Sequence, residues 1–108
     1  MSVVLGIMRD MPIVEGRSTG PVLRWEGDAA WFFLAVSPEL SDEIRGRTEH
    51  VAFGSVRVEA SIGATRWRTS LFPDAKSGCY LLPVKAAVRR AERIEDGDVV
   101  TAHLVVEG

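Results

Sequence analysis

The chain has 108 residues with a formal net charge of −2, and 46% of them are hydrophobic while 26% are charged. This composition predicts one globular domain with a single core and excludes a disordered chain. The near-neutral charge gives no general attraction to nucleic acid or to an anionic membrane. Because Cys79 is the single cysteine, no internal disulfide can form, and we expect a cytoplasmic protein without membrane contact. We expect residues 1–10 to be a loose or added tail and residues 11–108 to be a single barrel domain.

The first β pattern consists of two predicted strand pieces. One lies around Ile13-Val14 and the other over Val22–Trp25, and Gly16 helps to break the run between them. Alternation places Leu23 and Trp25 together on one face of a half-buried strand.

The next segment, Ala30–Val36, is apolar on both faces. Such a run needs cover on both sides, so we expect it at the centre of a sheet, at a barrel corner, or against a partner chain. The third of these alternatives would make the protein a homodimer.

A short helix is predicted next. Ser37 is a suitable N-cap and Pro38 suits the first helical position. Leu40 and Ile44 lie one turn apart and predict the buried side, while Gly46 is the expected end of the helix.

Two further strands follow. Val51–Ala60 changes the phase of its alternation at Gly54-Ser55, which predicts a bulge or a sharp bend. In Thr65–Phe72 the alternation predicts that Trp67 faces the core.

The last third of the chain predicts strand, helix and strand. A hairpin loop leads into the strand Cys79–Val84, and the helix Lys85–Arg93 follows with Val88 and Ala91 in its inward stripe. Val99–Val106 is the final strand, in which alternation places Val100, Ala102, Leu104 and Val106 on one face. About six strands and two short helices in one domain predict a mainly β fold, a small barrel with corner bends.

No catalytic or metal-binding motif is apparent in the sequence. His50, His103 and Cys79 form no paired ligand motif, so we expect no metal, and no phosphate loop or other cofactor signature is present. Ser70 and Cys79 lack a base at a recognisable spacing, so a catalytic role is not predicted for either.

The remaining candidate chemistry is basic. Arginine and lysine bind carboxylate and phosphate groups, and hydroxyl groups on the adjacent strand could converge with them. We therefore predict a site for an anionic ligand built from Trp67, Arg68, Thr69, Ser70, Lys85 and Arg89. The alternative is a solvated network in which the basic residues pair with Glu92, Glu95, Asp96 and Asp98.

The order of several motifs in the second half of the chain is that of a known family. These motifs are Ile62-Gly63, Trp67-Arg68-Thr69-Ser70-Leu71, Pro73, Gly78, Tyr80-Leu81-Leu82-Pro83-Val84-Lys85, Val88-Arg89 and Gly97-Asp98-Val99-Val100. With Trp31-Phe32-Phe33 and Ser37-Pro38-Glu39, they resemble the bacterial domain-of-unknown-function 1905 family over roughly Ile13 to Glu107. The resemblance implies a double-split β-barrel, related to swapped-hairpin antitoxin and transition-state regulator folds, and it implies no activity. Where the family often has a second glycine after Gly63, this chain has Ala64-Thr65.

Three functions are consistent with these observations. The first is a non-catalytic binding module for an anionic small molecule or a protein partner. The second is a nucleic-acid-binding regulator or antitoxin-like dimer, which rests on fold analogy alone and is opposed by the acidic net charge. The third is a small enzyme with its site at the barrel mouth, although we expect no catalysis.

Overall fold

The structure is a computed structural model that describes residues 14–27, 31–48 and 54–107. The expected tail, His50 and the predicted strand start at Val51 lie outside these described residues. The elements in chain order are β1 (Val14–Arg24), β2 (Phe32–Ala35), α1 (Pro38–Thr48), β3 (Val56–Ile62), β4 (Thr65–Pro73), β5 (Tyr80–Pro83), α2 (Ala86–Glu92) and β6 (Val99–Val106).

The strands form a closed barrel in the order β1-β2-β5-β4-β3-β6, and every pairing is antiparallel. Two strands are shared. β1 pairs with β6 as far as Pro21 and with β2 from Val22 onward, while β4 pairs with β3 as far as Leu71 and with β5 from Phe72 onward. We call β6, β3 and the first parts of β1 and β4 sheet A; β2, β5 and the last parts of β1 and β4 are sheet B. This arrangement confirms the predicted mainly β, double-split barrel with two short helices.

Each split in the barrel has a helix beside it. α1 packs against β1 where that strand has no partner on its β2 side, and α2 packs against β4. Gly16 permits the first contact, because a Cβ atom built at this position would lie 2.9 Å from Leu40 Cδ1. The two helices therefore fill the places where sheets A and B part.

The core lies inside the barrel and under both helices. Trp67 is 8% exposed, which confirms its predicted inward position. The alternation predicted for β6 is also confirmed, since Ala102, Leu104 and Val106 are buried. Leu40 and Ile44 pack inward from α1, and the Ser37 hydroxyl accepts a hydrogen bond from the Leu40 amide at 3.3 Å, as expected of a cap.

A buried hydroxyl connects α1 to β5. The Ser41 side chain is fully buried, and its Oγ donates to the Val36 carbonyl at 3.2 Å. The same oxygen accepts a hydrogen bond from the Tyr80 amide at 3.0 Å. Both backbone groups lie just past the β2–β5 register, which ends at Ala35 and Leu81, and this serine satisfies them.

The prediction of two strand pieces in the first segment is wrong, because β1 is continuous from Val14 to Arg24. Pro21 is tolerated within it for a geometric reason. The Val22 amide donates to the Asp98 carbonyl on the β6 side, so the nitrogen of the preceding proline faces the β2 side. There the ladder begins only at Val22, and no hydrogen bond is lost.

Leu23 and Trp25 lie on the same side of the sheet, as the alternation predicts, and this side faces away from the core. Val22 is fully buried, whereas Leu23 is 53% and Trp25 55% exposed. Alternation separates the two faces of a strand but does not say which one covers the core when both carry apolar residues.

Two details of the helices differ from expectation. Gly46 does not end α1, which continues to Thr48. In α2 the predicted inward Ala91 is exposed, and Ile94 is buried in its place. The reason is the left-handed cap at Arg93, with φ 55°, which turns the chain back so that Ile94 reaches the core.

The turn between β3 and β4 explains the departure from the family pattern at Ala64. Gly63 has φ +57°, whereas Ala64 does not have a positive φ. A positive φ at only the first central residue is the pattern of a type II′ hairpin turn, which needs a single glycine. Alanine at the second position therefore leaves the turn intact.

Candidate functional site

The outer face of sheet A carries charges of both signs. Arg68 lies 3.5 Å from Glu107, and Arg66 lies 3.9 Å from Glu59. His103 Nε2 and the Glu15 carboxylate are 2.8 Å apart. Because the arginines are interleaved with carboxylates, this face does not present the continuous positive surface that a phosphate backbone requires.

The four consecutive predicted site residues on β4 do not share a surface. Trp67 and Thr69 face the barrel interior, while Arg68 and Ser70 face outward on sheet A. This follows from the period of two in a strand. Trp67 is part of the core, and Arg68 is engaged with Glu107.

Three of the carboxylates that were expected to pair with the basic residues accept hydrogen bonds from other groups. Glu92 Oε2 accepts a hydrogen bond from the Thr65 hydroxyl at 2.6 Å. Asp96 accepts from the Arg24 amide at 3.0 Å, and Asp98 accepts from the Glu95 amide at 2.8 Å. These carboxylates therefore stabilise turns and strand ends. The alternative, a network of ion pairs around α2, is not formed among the described residues.

The structure does bring Lys85 and Arg89 together, at a cavity of about 320 Å³. The cavity lies between the first turn of α2 and the sheet B strands. The residues that line it are Trp31, Phe32, Pro83, Val84, Lys85, Ala86 and Arg89. It includes none of residues 67–70, so two of the six predicted site residues share a site and the other four lie elsewhere.

Arg89 is held in a defined orientation within this cavity. Its Nε donates to the Val84 carbonyl at 3.1 Å, and the guanidinium carbon lies 3.8 Å from the centre of the Phe32 ring. The hydrogen bond and the cation–π contact together hold the guanidinium plane on the ring. This leaves the terminal nitrogens of the guanidinium as donors for a further group.

The cavity combines positive charge with aromatic walls. Lys85 and Arg89 are its only charged lining residues, and neither forms an ion pair within the described part of the chain. Trp31 and Phe32 provide flat apolar surface beside them. Chemically, such a site can bind a carboxylate or phosphate attached to a flat apolar body.

Trp31 and Phe32 were not predicted as site residues from the sequence. The signal was present, because Ala30–Val36 is apolar on both faces of its strand, and one face had to lie away from the core. Sequence spacing could not place this segment beside α2, since β2 and α2 are far apart in the chain and meet only through the β2–β5 pairing.

Residues 14–27, 31–48 and 54–107 contain no cluster of three or more potential metal ligands. Cys79 is a half-buried free thiol. Neither of the two described helices has the length and apolar character needed to cross a membrane.

A family model matches most of the chain. The family model described as "Domain of unknown function (DUF1905)" matches residues 19–104, which includes both helices and nearly all of the barrel. No curated protein matches the chain.

Proposed function

We propose that this chain, which belongs to the DUF1905 family, is a non-catalytic binding module for a small ligand with an anionic group on a flat apolar body. The observation that carries the proposal is the position of Arg89, fixed over Phe32 by its bond to Val84 at the wall of the cavity. A guanidinium that is already oriented loses little freedom when it binds an anion, so it favours binding.

The charge of the ligand follows from the lining. Lys85 and Arg89 contribute positive charge, and no lining residue is acidic. A carboxylate or phosphate would accept hydrogen bonds from the Arg89 terminal nitrogens and interact with the exposed Lys85 ammonium group. A cationic ligand would meet uncompensated repulsion.

The shape of the ligand follows from the other walls. The apolar side of the cavity is lined by Trp31, Phe32 and Pro83. A volume of about 320 Å³ is at the small end of ligand pockets and suits one or two fused rings. The lining includes neither a carboxylate nor a histidine that could act as a general base, which supports binding and not turnover.

Benzoate and benzamide test the proposal as a matched pair, because they have the same ring and differ in charge. Backbone amide shifts in heteronuclear NMR should change on addition of benzoate at residues 31–32 and 84–89. We expect benzamide to bind at least about tenfold more weakly, because its group carries no charge for Arg89 to pair with. Equal binding of the two probes, or none by benzoate, would overturn the proposed function.

Variants locate the site. Arg89→Gln and Lys85→Gln should each weaken benzoate binding by about tenfold or more. Arg68→Gln and Arg90→Gln are the controls, because both side chains are exposed and neither lines the cavity; they should leave binding unchanged. Circular dichroism establishes that each variant is folded. Loss of binding in Arg68→Gln with retention in Arg89→Gln would move the site to sheet A.

The cytoplasm is the compartment that we propose for this module. The support is the single Cys79, which is unpaired and half-buried, because disulfide-dependent folding is the usual mark of exported small domains.

A further inference from the structure

The outer face of sheet B is unusually apolar, in contrast with sheet A. Leu23 is 53%, Trp25 55%, Trp31 52% and Phe72 45% exposed. Among the described residues these are four of the five large hydrophobic side chains that are exposed. Together with the half-buried Phe33 and Leu81, we call them the sheet B outer face. Single exposed apolar residues are ordinary, but a contiguous group marks an interaction surface.

The strand register makes this group contiguous. Leu23 is paired with Phe33, and Leu81 is paired with Phe72. Phe33, Leu81 and Phe72 line one apolar depression together with the two exposed tryptophans. The Phe33 ring packs edge-on against Trp25 at 5.9 Å between centroids and stacks on Trp31 at 6.0 Å. The aromatic rings thus support one another in fixed positions and present a preformed surface.

The area of this surface is consistent with a specific contact. A large side chain buries ~150–250 Å² when fully covered. The four exposed side chains, each about half covered already, therefore offer roughly 400 Å² per copy and roughly 800 Å² for two copies. Specific interfaces begin at about 1,000 Å² in total, and Phe33, Leu81 and the polar rim would supply the remainder.

The rim of the face indicates what covers it. A groove of about 500 Å³ crosses the face, and its charged lining residues are Arg24, Glu26, Asp74 and Lys76. Two cations and two carboxylates at one rim would repel part of any partner that carries a single sign of charge, including an anionic membrane. A second copy presents the same mixed set, so a two-fold axis can bring cations opposite carboxylates.

We propose that two copies of this chain associate through their sheet B outer faces about a two-fold axis. Apolar side chains form the centre of the interface and the mixed charges form its rim, which is the usual arrangement in specific interfaces. This inference does not rest on the proposed ligand site. The two are adjacent, however, because Trp31 lines both the apolar face and the Lys85–Arg89 cavity.

Light scattering coupled to size-exclusion chromatography tests the association on the full chain. Between about 1 and 200 µM, a range that covers micromolar dissociation constants, the mass should rise from one copy to two. Leu23→Arg should shift the midpoint by at least about tenfold toward monomer, because it places a charge within the apolar surface that the partner would cover. Val105→Arg is the matched control. It changes an aliphatic residue that faces outward from sheet A between Glu15 and Glu59, and it should leave the midpoint unchanged.

Fluorescence provides a second measurement that does not depend on Leu23→Arg folding. Trp25 and Trp31 are exposed and Trp67 is buried, so iodide quenching of the first two should fall as the unmodified protein is concentrated. A monomer throughout the range would overturn the proposal. So would a dimer whose midpoint Leu23→Arg does not change, or sedimentation of the protein with phosphatidylglycerol vesicles in place of self-association.

Discussion

The Thr65 hydroxyl donates a 2.6 Å hydrogen bond to the Glu92 carboxylate, which ties the end of α2 to the start of β4. The other oxygen of that carboxylate lies against the β3–β4 turn. A Cβ atom built on Gly63 would come within 2.1 Å of Glu92 Oε1. Gly63 is therefore favoured by its positive φ, and a Cβ atom there would in addition displace the Glu92 carboxylate from its bond with Thr65.

Gly63→Ala should lower the free energy of unfolding by the sum of these two effects. The backbone contribution is about 1–2 kcal/mol for a left-handed residue with a Cβ atom, and displacement of Glu92 adds to it. Gly78→Ala is the control, since Gly78 has φ +76° but open space around it. Urea denaturation should show Gly63→Ala as the more destabilising change.

A double-mutant cycle separates the two effects at Gly63. In a Glu92→Ala background the carboxylate is gone, so Gly63→Ala should cost about as much as Gly78→Ala does. If the cost of Gly63→Ala is the same in both backgrounds, the contact with Glu92 does not contribute.

Ser41→Ala should destabilise the fold by about 1–3 kcal/mol, because it leaves the Tyr80 amide buried without an acceptor. The amide hydrogen of Tyr80 should also exchange faster with solvent, and this local readout distinguishes the loss of the bond from a general loosening. Ser61→Ala, on the outer face of sheet A, should change the stability by less than about 0.5 kcal/mol. Unchanged exchange at Tyr80 would contradict the assignment.

Asp74 gives a dependence on pH in the β4–β5 loop. The hydrogen bond from the Ser77 hydroxyl, 2.8 Å long, holds the pKa of the Asp74 carboxyl below its ordinary value of 3.8, and the Lys76 amide adds a weaker effect. The folded-state pKa is lowered, so the stabilisation is complete above pH 3.8 and is lost as the pH falls through the folded-state pKa. Titration of the carboxyl carbon shift by NMR should give a higher pKa in Ser77→Ala than in the unmodified protein. Ser61→Ala should leave this pKa unchanged.

Arg89 should matter for stability as well as for binding. Arg89→Lys removes the Nε bond to Val84 and weakens the contact with Phe32, so we expect a loss of about 1–2 kcal/mol in urea denaturation. Arg90→Lys, one position along the same helix and exposed, should cost less than about 0.5 kcal/mol. In a Phe32→Leu background the effect of Arg89→Lys should shrink, and additivity of the two changes would contradict the ring contact.

Local patterns in the sequence were sufficient for the barrel and much of its core. Period-two alternation identified Trp67 and the β6 residues as inward, and the Ser37-Pro38 pair marked the start of α1. These features depend on neighbours in the chain, which are visible in the sequence. The order of the strands depends instead on which backbone groups find partners far along the chain, and the change of partner within β1 has no local signal except Pro21.

The candidate site was predicted only in part for a similar reason. Arg68 and Arg89 are chemically alike, and both lie in the second half of the chain. Their difference arises from the surroundings, since Arg68 faces Glu107 on an open sheet while Arg89 lies on Phe32 at a cavity wall. The same applies to Leu23, whose outward direction is decided by the barrel and not by the strand pattern.

The pairing of β1 with β6 joins the first and last described strands of the chain. During synthesis β1, β2 and α1 leave the ribosome well before β6. Until β6 is made, the edges of β1 and β3 that pair with it have no hydrogen-bonded partner. Such long-range closure slows folding, and open edges can pair with other chains. Co-translational chaperones would therefore be most needed just before β6 emerges. A substitution that slows the pairing of β6 should lower the soluble yield more than a substitution in the β3–β4 hairpin that lowers the free energy of unfolding by the same amount.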